Sequence, residues 1–157
     1  MQLNVFRTLW GVTTPWQQTV NELKSVGCCG IEARVPLTVE EQRTLAQRID
    51  ASALEYIAIA FSGGGVIPAQ SETPAQHLER LKERFAAAKA LNPRFVNLLA
   101  GNDRWPLAQQ VDFLGRAHEL AAEYELFCSF ETHRATSLYS PWLTLEIVQQ
   151  LPQLRFT

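Results

Sequence analysis

Leu54-Glu55-Tyr56-Ile57-Ala58-Ile59-Ala60-Phe61 runs into Ser62-Gly63-Gly64-Gly65, and Thr73-Pro74-Ala75-Gln76 then opens a segment carrying Leu78, Leu81, Phe85 and Ala88. The first run is short, apolar and closed by glycines, which reads as a buried strand and its exit loop. The second combines an N-cap threonine, a proline at the first helical position and a glutamine three residues after the cap. Those are the marks of a helix start, and the apolar spacing gives that helix one buried face. One strand-loop-helix unit is therefore spelled out, and the fold depends on whether it recurs.

It recurs in both directions. Upstream, Val5 to Leu9 reads as a strand, and Thr14-Pro15-Trp16-Gln17 repeats the same start signal. The helix it opens has the stripe Trp16, Val20, Leu23 and Val26 and stops at Gly27. Ile31 to Val35 is the next strand, followed by a capping box of Thr38 and Glu41 and a helix with Leu45, Ala46 and Ile49 inward. Downstream, Arg94 to Leu99 leads through Gly101-Asn102-Asp103-Arg104-Trp105-Pro106 into a helix striped by Leu107, Val111, Leu114 and Ala121. Leu126 to Phe130 is a fifth strand, Ser140-Pro141 caps a helix running to about Leu151, and Leu154-Arg155-Phe156-Thr157 opens a sixth strand.

This alternation defines an α/β chain, and residues 1–157 have no linker or low-complexity stretch that divides them into two domains. An open doubly wound sheet is one arrangement, but Gly11 stands alone where a G-x-G-x-x-G fingerprint follows the first strand. The other is the eight-fold βα barrel of about 250 residues, of which 157 would be about five-eighths. We therefore expect a single incomplete (β/α)8 TIM barrel: about five βα units, the start of a sixth strand and a parallel sheet.

Composition removes several function classes. The chain is 46% hydrophobic and 19% charged, with 14 Lys and Arg against 16 Asp and Glu and a formal charge of -2. No basic patch offsets that balance, so no nucleic-acid partner is expected. Apolar runs such as Ala53 to Phe61 are interrupted by Glu55 and fall short of the roughly 20 residues of a membrane span. Met1 to Trp10 carries Asn4 and Arg7 within its apolar stretch and lacks signal-peptide order, which together imply the cytoplasm and no membrane. Cys28, Cys29 and Cys128 form neither an even disulfide set nor a C-x-x-C pair, and read as free thiols in a reducing compartment.

In a βα barrel the chemistry lies at the carboxyl ends of the strands. The polar and aromatic residues there are Trp10, Glu32, Arg34, Ser62, Asn97, Asp103, Glu131, His133 and Arg134. Alternation along the fifth strand places Glu131, Ser129 and Phe127 on one face and Cys128 and Phe130 on the other; Gly30, Glu32 and Arg34 share a face of the second. A carboxylate closing an apolar run needs a partner, so Glu131 either coordinates a metal or acts catalytically, or it pairs with Arg34 or Arg134. Gly63-Gly64-Gly65 is either a phosphate cradle or a flexible exit loop. His77 and His118 read as structural, Trp16, Trp105 and Trp142 as packing residues, and Trp10 as a wall of a substrate pocket.

Phe6-Arg7-Thr8-Leu9-Trp10-Gly11, Gly30-Ile31-Glu32, Gly101-x-Asp103-x-Trp105, Glu131-Thr132-His133-Arg134 and Pro141-Trp142 resemble, in order and spacing, the xylose-isomerase-like TIM-barrel family of sugar phosphate isomerases and epimerases. The resemblance implies a divalent metal ion (Mn, Mg, Zn or Co) held from the ends of the fifth to eighth strands. Its fifth-strand glutamate corresponds to Glu131, as metal ligand and as one of two glutamates that move a proton next to a sugar carbonyl. The other ligands have no counterpart here, so metal binding is expected to be weak or absent and the chain inactive alone. Trp10, Glu32, Asn97, His133 and Arg134 are expected to contact a sugar or sugar phosphate, although outer-shell or surface roles suit His133 and Arg134 equally.

Two further readings stand beside the isomerase or epimerase. One is a non-catalytic barrel fragment that self-associates through unpaired strands at Val5 to Leu9 and Leu154 to Thr157, guarded only by Arg7 and Arg155. The other is an apurinic endonuclease, for which three histidines are too few to build a multinuclear zinc site.

Overall fold

The computed structural model describes residues 3–157. The elements run β1 (Phe6–Thr8), α1 (Trp16–Ser25), β2 (Gly30–Arg34), α2 (Val39–Ser52), β3 (Glu55–Phe61), α3 (Pro74–Ala90), β4 (Val96–Leu99), α4 (Leu107–Glu123), β5 (Cys128–Phe130) and α5 (Pro141–Gln150). The five strands form one parallel sheet in the order β1-β2-β3-β4-β5. Sequential order is the barrel solution; a doubly wound sheet reverses its strand order part-way across. The expected partial barrel is what the chain forms. Its sixth strand begins as a parallel bridge from Phe156 to Phe130, with Phe130 N–H donating to Arg155 O at 2.7 Å and Thr157 N–H to Phe130 O at 3.1 Å.

Most strands are a residue or two shorter at one or both ends than the sequence suggests, because apolar runs continue past the last ladder hydrogen bond. The helix starts differ more. Thr73 and Gln76 make the complete expected capping box of α3. At α1 the expected box is absent: Pro15 is the cap residue, Thr14 Oγ1 lies 2.8 Å from Thr19 Oγ1, and Gln17 Nε2 donates to Asn21 Oδ1. Thr14 lies one residue too far from the helix to cap it. Ser140 precedes α5 as expected, but its hydroxyl makes no cap bond.

The helices cover one face of the sheet. Ile31, Tyr56, Ala58, Ala60, Val96, Leu98, Cys128 and Phe130 point into that layer and are buried against Val20, Leu23, Leu81, Phe85, Phe113 and Leu114. Each large side chain so buried contributes about 1.5–3 kcal/mol. Burial also pushes the Cys128 thiol up to about 12, which leaves it an inert packing group. The opposite, inner face carries Glu32, Arg34, Ile57, Ile59, Asn97, Ser129 and Glu131, the parity expected from alternation. No helix among the described residues is long and apolar enough to cross a membrane.

Candidate functional site

Arg34, Ile59, Asn97 and Ser129 are in register across β2 to β5. Glu32 stands two residues before Arg34, and Glu131 two residues after Ser129. A line from Glu32 through Asn97 to Glu131 therefore climbs diagonally over the sheet, the stagger that tilted barrel strands require. That stagger brings three side chains from three strands together. Asn97 Nδ2 donates to Glu131 Oε2 at 2.7 Å and to Glu32 Oε1 at 3.3 Å, while its Oδ1 accepts from Thr157 Oγ1 at 2.7 Å.

The chemistry of this bridge is specific. An amide offers two N–H donors on one atom and an acceptor on the other, and here every group is used. Both carboxylates are acceptors at the amide nitrogen, so neither needs to share a proton with the other. Asn97 is 7% exposed, while Glu32 and Glu131 are half-buried. Sequence reasoning offered an ion pair to Arg34 or Arg134 as the partner of Glu131; the partner in the structure is Asn97.

The remaining expected residues do not join this cluster. Trp10, 59% exposed, faces the Arg34 guanidinium, whose Cζ lies 4.1 Å from the indole centroid and 5.1 Å from that of Phe61. His133 Nδ1 lies 2.8 Å from the carbonyl of Arg134. Both residues line a cleft of about 520 Å3 with Leu138, Tyr139 and Leu145, and none of Glu32, Asn97 or Glu131 reaches it. Its walls are mostly apolar, so the polar layer is the better seat for proton chemistry. Trp142, expected to pack, is 77% exposed. Its place in the first turn of α5 points it away from the sheet, and Ile147 buries that helix instead.

One network escaped the sequence reading. Ser62 Oγ accepts from Gly101 N–H at 2.8 Å and lies 2.8 Å from His77 Nδ1, while His77 Nε2 sits 2.9 Å from Glu72 Oε2 without its N–H lying along that line. A ring protonated on Nε2 leaves Nδ1 to accept from the Ser62 hydroxyl. Glu72 also takes Gly64 N–H and Arg80 Nη1, so the triple-glycine loop is tied to the protein's own carboxylate. Ser62 and His77 are both fully buried. Burial brings the His77 ring down to about 4 and keeps it neutral. The trio ties β3 to the loop after β4 and is too enclosed to meet a substrate. No sequence signal marks it, because Ser62, Glu72 and His77 meet only once the loop after β3 has folded back and α3 has packed on the sheet.

A family model described as xylose isomerase-like TIM barrel matches residues 20–157. No curated protein matches at a significant level. Among solved structures, a probable 3-DHS dehydratase of petrobactin synthesis from Bacillus anthracis superposes with a TM-score of 0.72 at 16% identity, over 99% of this chain and 62% of that one. A 3-keto-D-glucoside 4-epimerase from E. coli gives 0.70 at 12% identity over 99% and 67%. A D-allulose 3-epimerase from Methylomonas sp., in complex with D-allulose, gives 0.69 at 14% over 96% and 59%. The chain thus spans 59–67% of the length of these neighbours.

Proposed function

The chain belongs to the xylose isomerase-like TIM barrel family, and on that premise we propose that its site serves proton transfer next to the carbonyl of a sugar or sugar phosphate, the chemistry of an isomerase or epimerase. The Asn97 bridge carries this reading. It fixes one oxygen of Glu131 at 2.7 Å, and the other has no partner among the described residues, which suits a carboxylate that accepts a proton from carbon. Glu32, through the oxygen not bonded to Asn97, then holds a substrate hydroxyl, Asn97 keeps the two carboxylates in place, and Trp10 walls the pocket; His133 and Arg134, in their separate cleft, keep the outer-shell or surface roles that suit them equally. Moving the proton between neighbouring carbons needs one carbon base, Glu131, together with a proton exchanged between the substrate's carbonyl and hydroxyl oxygens, which solvent supplies. Inverting a single carbon needs a second acid-base group on the opposite face of the substrate.

The divalent metal that the family resemblance implies has Glu131 as its candidate ligand. The donor set does not fit such an ion: among the described residues no three His, Cys, Asp or Glu side chains come together. Glu32 is bonded to the same amide as Glu131. Three free cysteines and the absence of a basic patch support a cytoplasmic setting without a nucleic-acid partner.

The test is solvent exchange. With ketoses and ketose phosphates in heavy water, deuterium should enter the carbon beside the carbonyl, a partial reaction that requires no turnover to product, and Glu131→Gln should slow this by about a hundredfold or more. Exchange that survives Glu131→Gln would place the base elsewhere. A second reading, association without catalysis, draws on Phe127 and Trp142, which are 60% and 77% exposed.

A further inference from the structure

Arg34 is unlike the other strand-end cations. It lies on the inner face of β2, two residues beyond Glu32 toward the carboxyl end of the strand. Two residues of parallel strand rise by about 6.6 Å, so its guanidinium belongs to the layer next above the Glu32, Asn97 and Glu131 carboxylate layer. No carboxylate pairs with it among the described residues. Its contacts are aromatic instead: Trp10 at 4.1 Å and Phe61 at 5.1 Å from ring centroid to Cζ. Cation–π contact of this kind restrains the guanidinium and uses none of its N–H donors.

Two clefts meet at Arg34 and Ile59. One, of about 370 Å3, is lined by Trp10 and Gly11; the other, of about 200 Å3, by Phe61, Gly65 and Arg84. Arg84 comes from α3. Its Nη1 donates to the carbonyls of Phe61 and Gly63, and no carboxylate within ion-pair distance neutralises it among the described residues. The nearby Glu72 is already held by Arg80 and Gly64 N–H. Two guanidiniums without counter-ions thus line one small cleft beside the carboxylate layer. One is restrained by aromatic rings and the other is pinned by backbone carbonyls.

We propose that Arg34, supported by Arg84, forms an anion subsite that takes the phosphate or carboxylate end of the substrate while the reacting carbons lie on the Glu131 layer. This rests on the isomerase or epimerase reading for what the rest of the substrate does. The anion itself is recognised by charge and by the two-pronged fork, which match phosphate and carboxylate oxygens alike. A neutral sugar would leave both guanidiniums unpaired and would bind more weakly.

The experiment uses the full chain and two simple probes, inorganic phosphate followed by phosphorus NMR and acetate followed by proton NMR. Saturable binding of either is expected, weakened at least about tenfold by Arg34→Gln and also by Arg34→Lys, which keeps the charge but loses the fork. Arg84→Lys should weaken it less, and Arg155→Gln on the exposed edge should leave it unchanged. Phosphate bound in preference to acetate identifies a sugar phosphate; the reverse identifies a sugar acid. Binding of neither probe, or binding undiminished in both Arg34 variants, overturns the subsite. Should Arg34→Gln not fold, Arg34→Lys decides by itself. Binding of either probe is read without any carbon-proton exchange, and Glu131→Gln should bind phosphate like the wild type. A failed solvent-exchange experiment and a failed subsite are therefore distinguishable.

Discussion

The side-chain amide of Asn97 donates to Glu131 Oε2 at 2.7 Å and so fixes the one carboxylate that the fold places at the end of β5. Asn97→Asp replaces that donor with a third carboxylate between two others. At neutral pH the variant should lose about 2–4 kcal/mol of stability, and the loss should shrink on acidification as the introduced acid takes up a proton. Urea unfolding at pH 7 and pH 5 measures both quantities. Equal losses at the two values would mean that charge repulsion is not the cause.

Metal binding by the chain should be weak, because Glu131 lacks nearby co-ligands among the described residues. Calorimetric titration with manganese or zinc should show at most millimolar affinity. Micromolar binding abolished by Glu131→Gln would mean that other residues supply the missing ligands.

His77 makes stability depend on acid. Its ring titrates near 4 in the folded chain, against an ordinary value near 6.5, chiefly because it is desolvated. Below about 6.5 the unfolded chain takes up a proton that the buried ring refuses, so stability is full above that pH and declines toward 4. The decline attributable to this residue is about 2–3 kcal/mol. Stability curves from pH 7 to pH 4 for the wild type and His77→Gln should differ in slope across this window, and parallel curves would exclude the effect.

Gly101 holds φ of +78°, and a Cβ there would stand 1.9 Å from Ser137 Oγ and 2.8 Å from its Cβ. Gly101→Ala combines left-handed strain with a clash and displaces the amide that donates to Ser62. Destabilisation of about 3 kcal/mol is expected by thermal or chemical unfolding. A variant as stable as the wild type would show that the loop after β4 yields.

Val5, Phe127, Tyr139, Trp142 and Leu145 are all exposed apolar or aromatic side chains. Concentration-dependent self-association in the micromolar range follows from that surface. Light scattering coupled to size-exclusion chromatography should show mass rising with loading, which Trp142→Gln should reduce. A constant monomer mass, with no binding of an apolar dye, would contradict it.

The alternation of β-rich runs with capped, striped helices was enough to establish the α/β class and the count of units, while the barrel was expected from the lone Gly11, the chain length and the family resemblance and was decided by the sequential strand order. Each of those signals is written within a few neighbouring residues: Thr73 and Gln76 cap α3, Gly27 follows the end of α1, and β5 alternates inward and outward just as its residue types do. Local signals also mislead locally, as at Thr14 and Ser140, where the right residue type makes no cap bond. Glu32, Asn97 and Glu131 could be named from their strand-end positions, but that one amide joins the two carboxylates was not legible. Nor were the aromatic stacking of Arg34, the Thr157 hydroxyl on Asn97 and the Ser62, His77 and Glu72 tie. Asn97 and Glu32 are 65 residues apart and Asn97 and Glu131 are 34 apart. Contacts at that distance are decided by the register and stagger of strands from separate units, which exist only once the helices have packed the sheet into its curve.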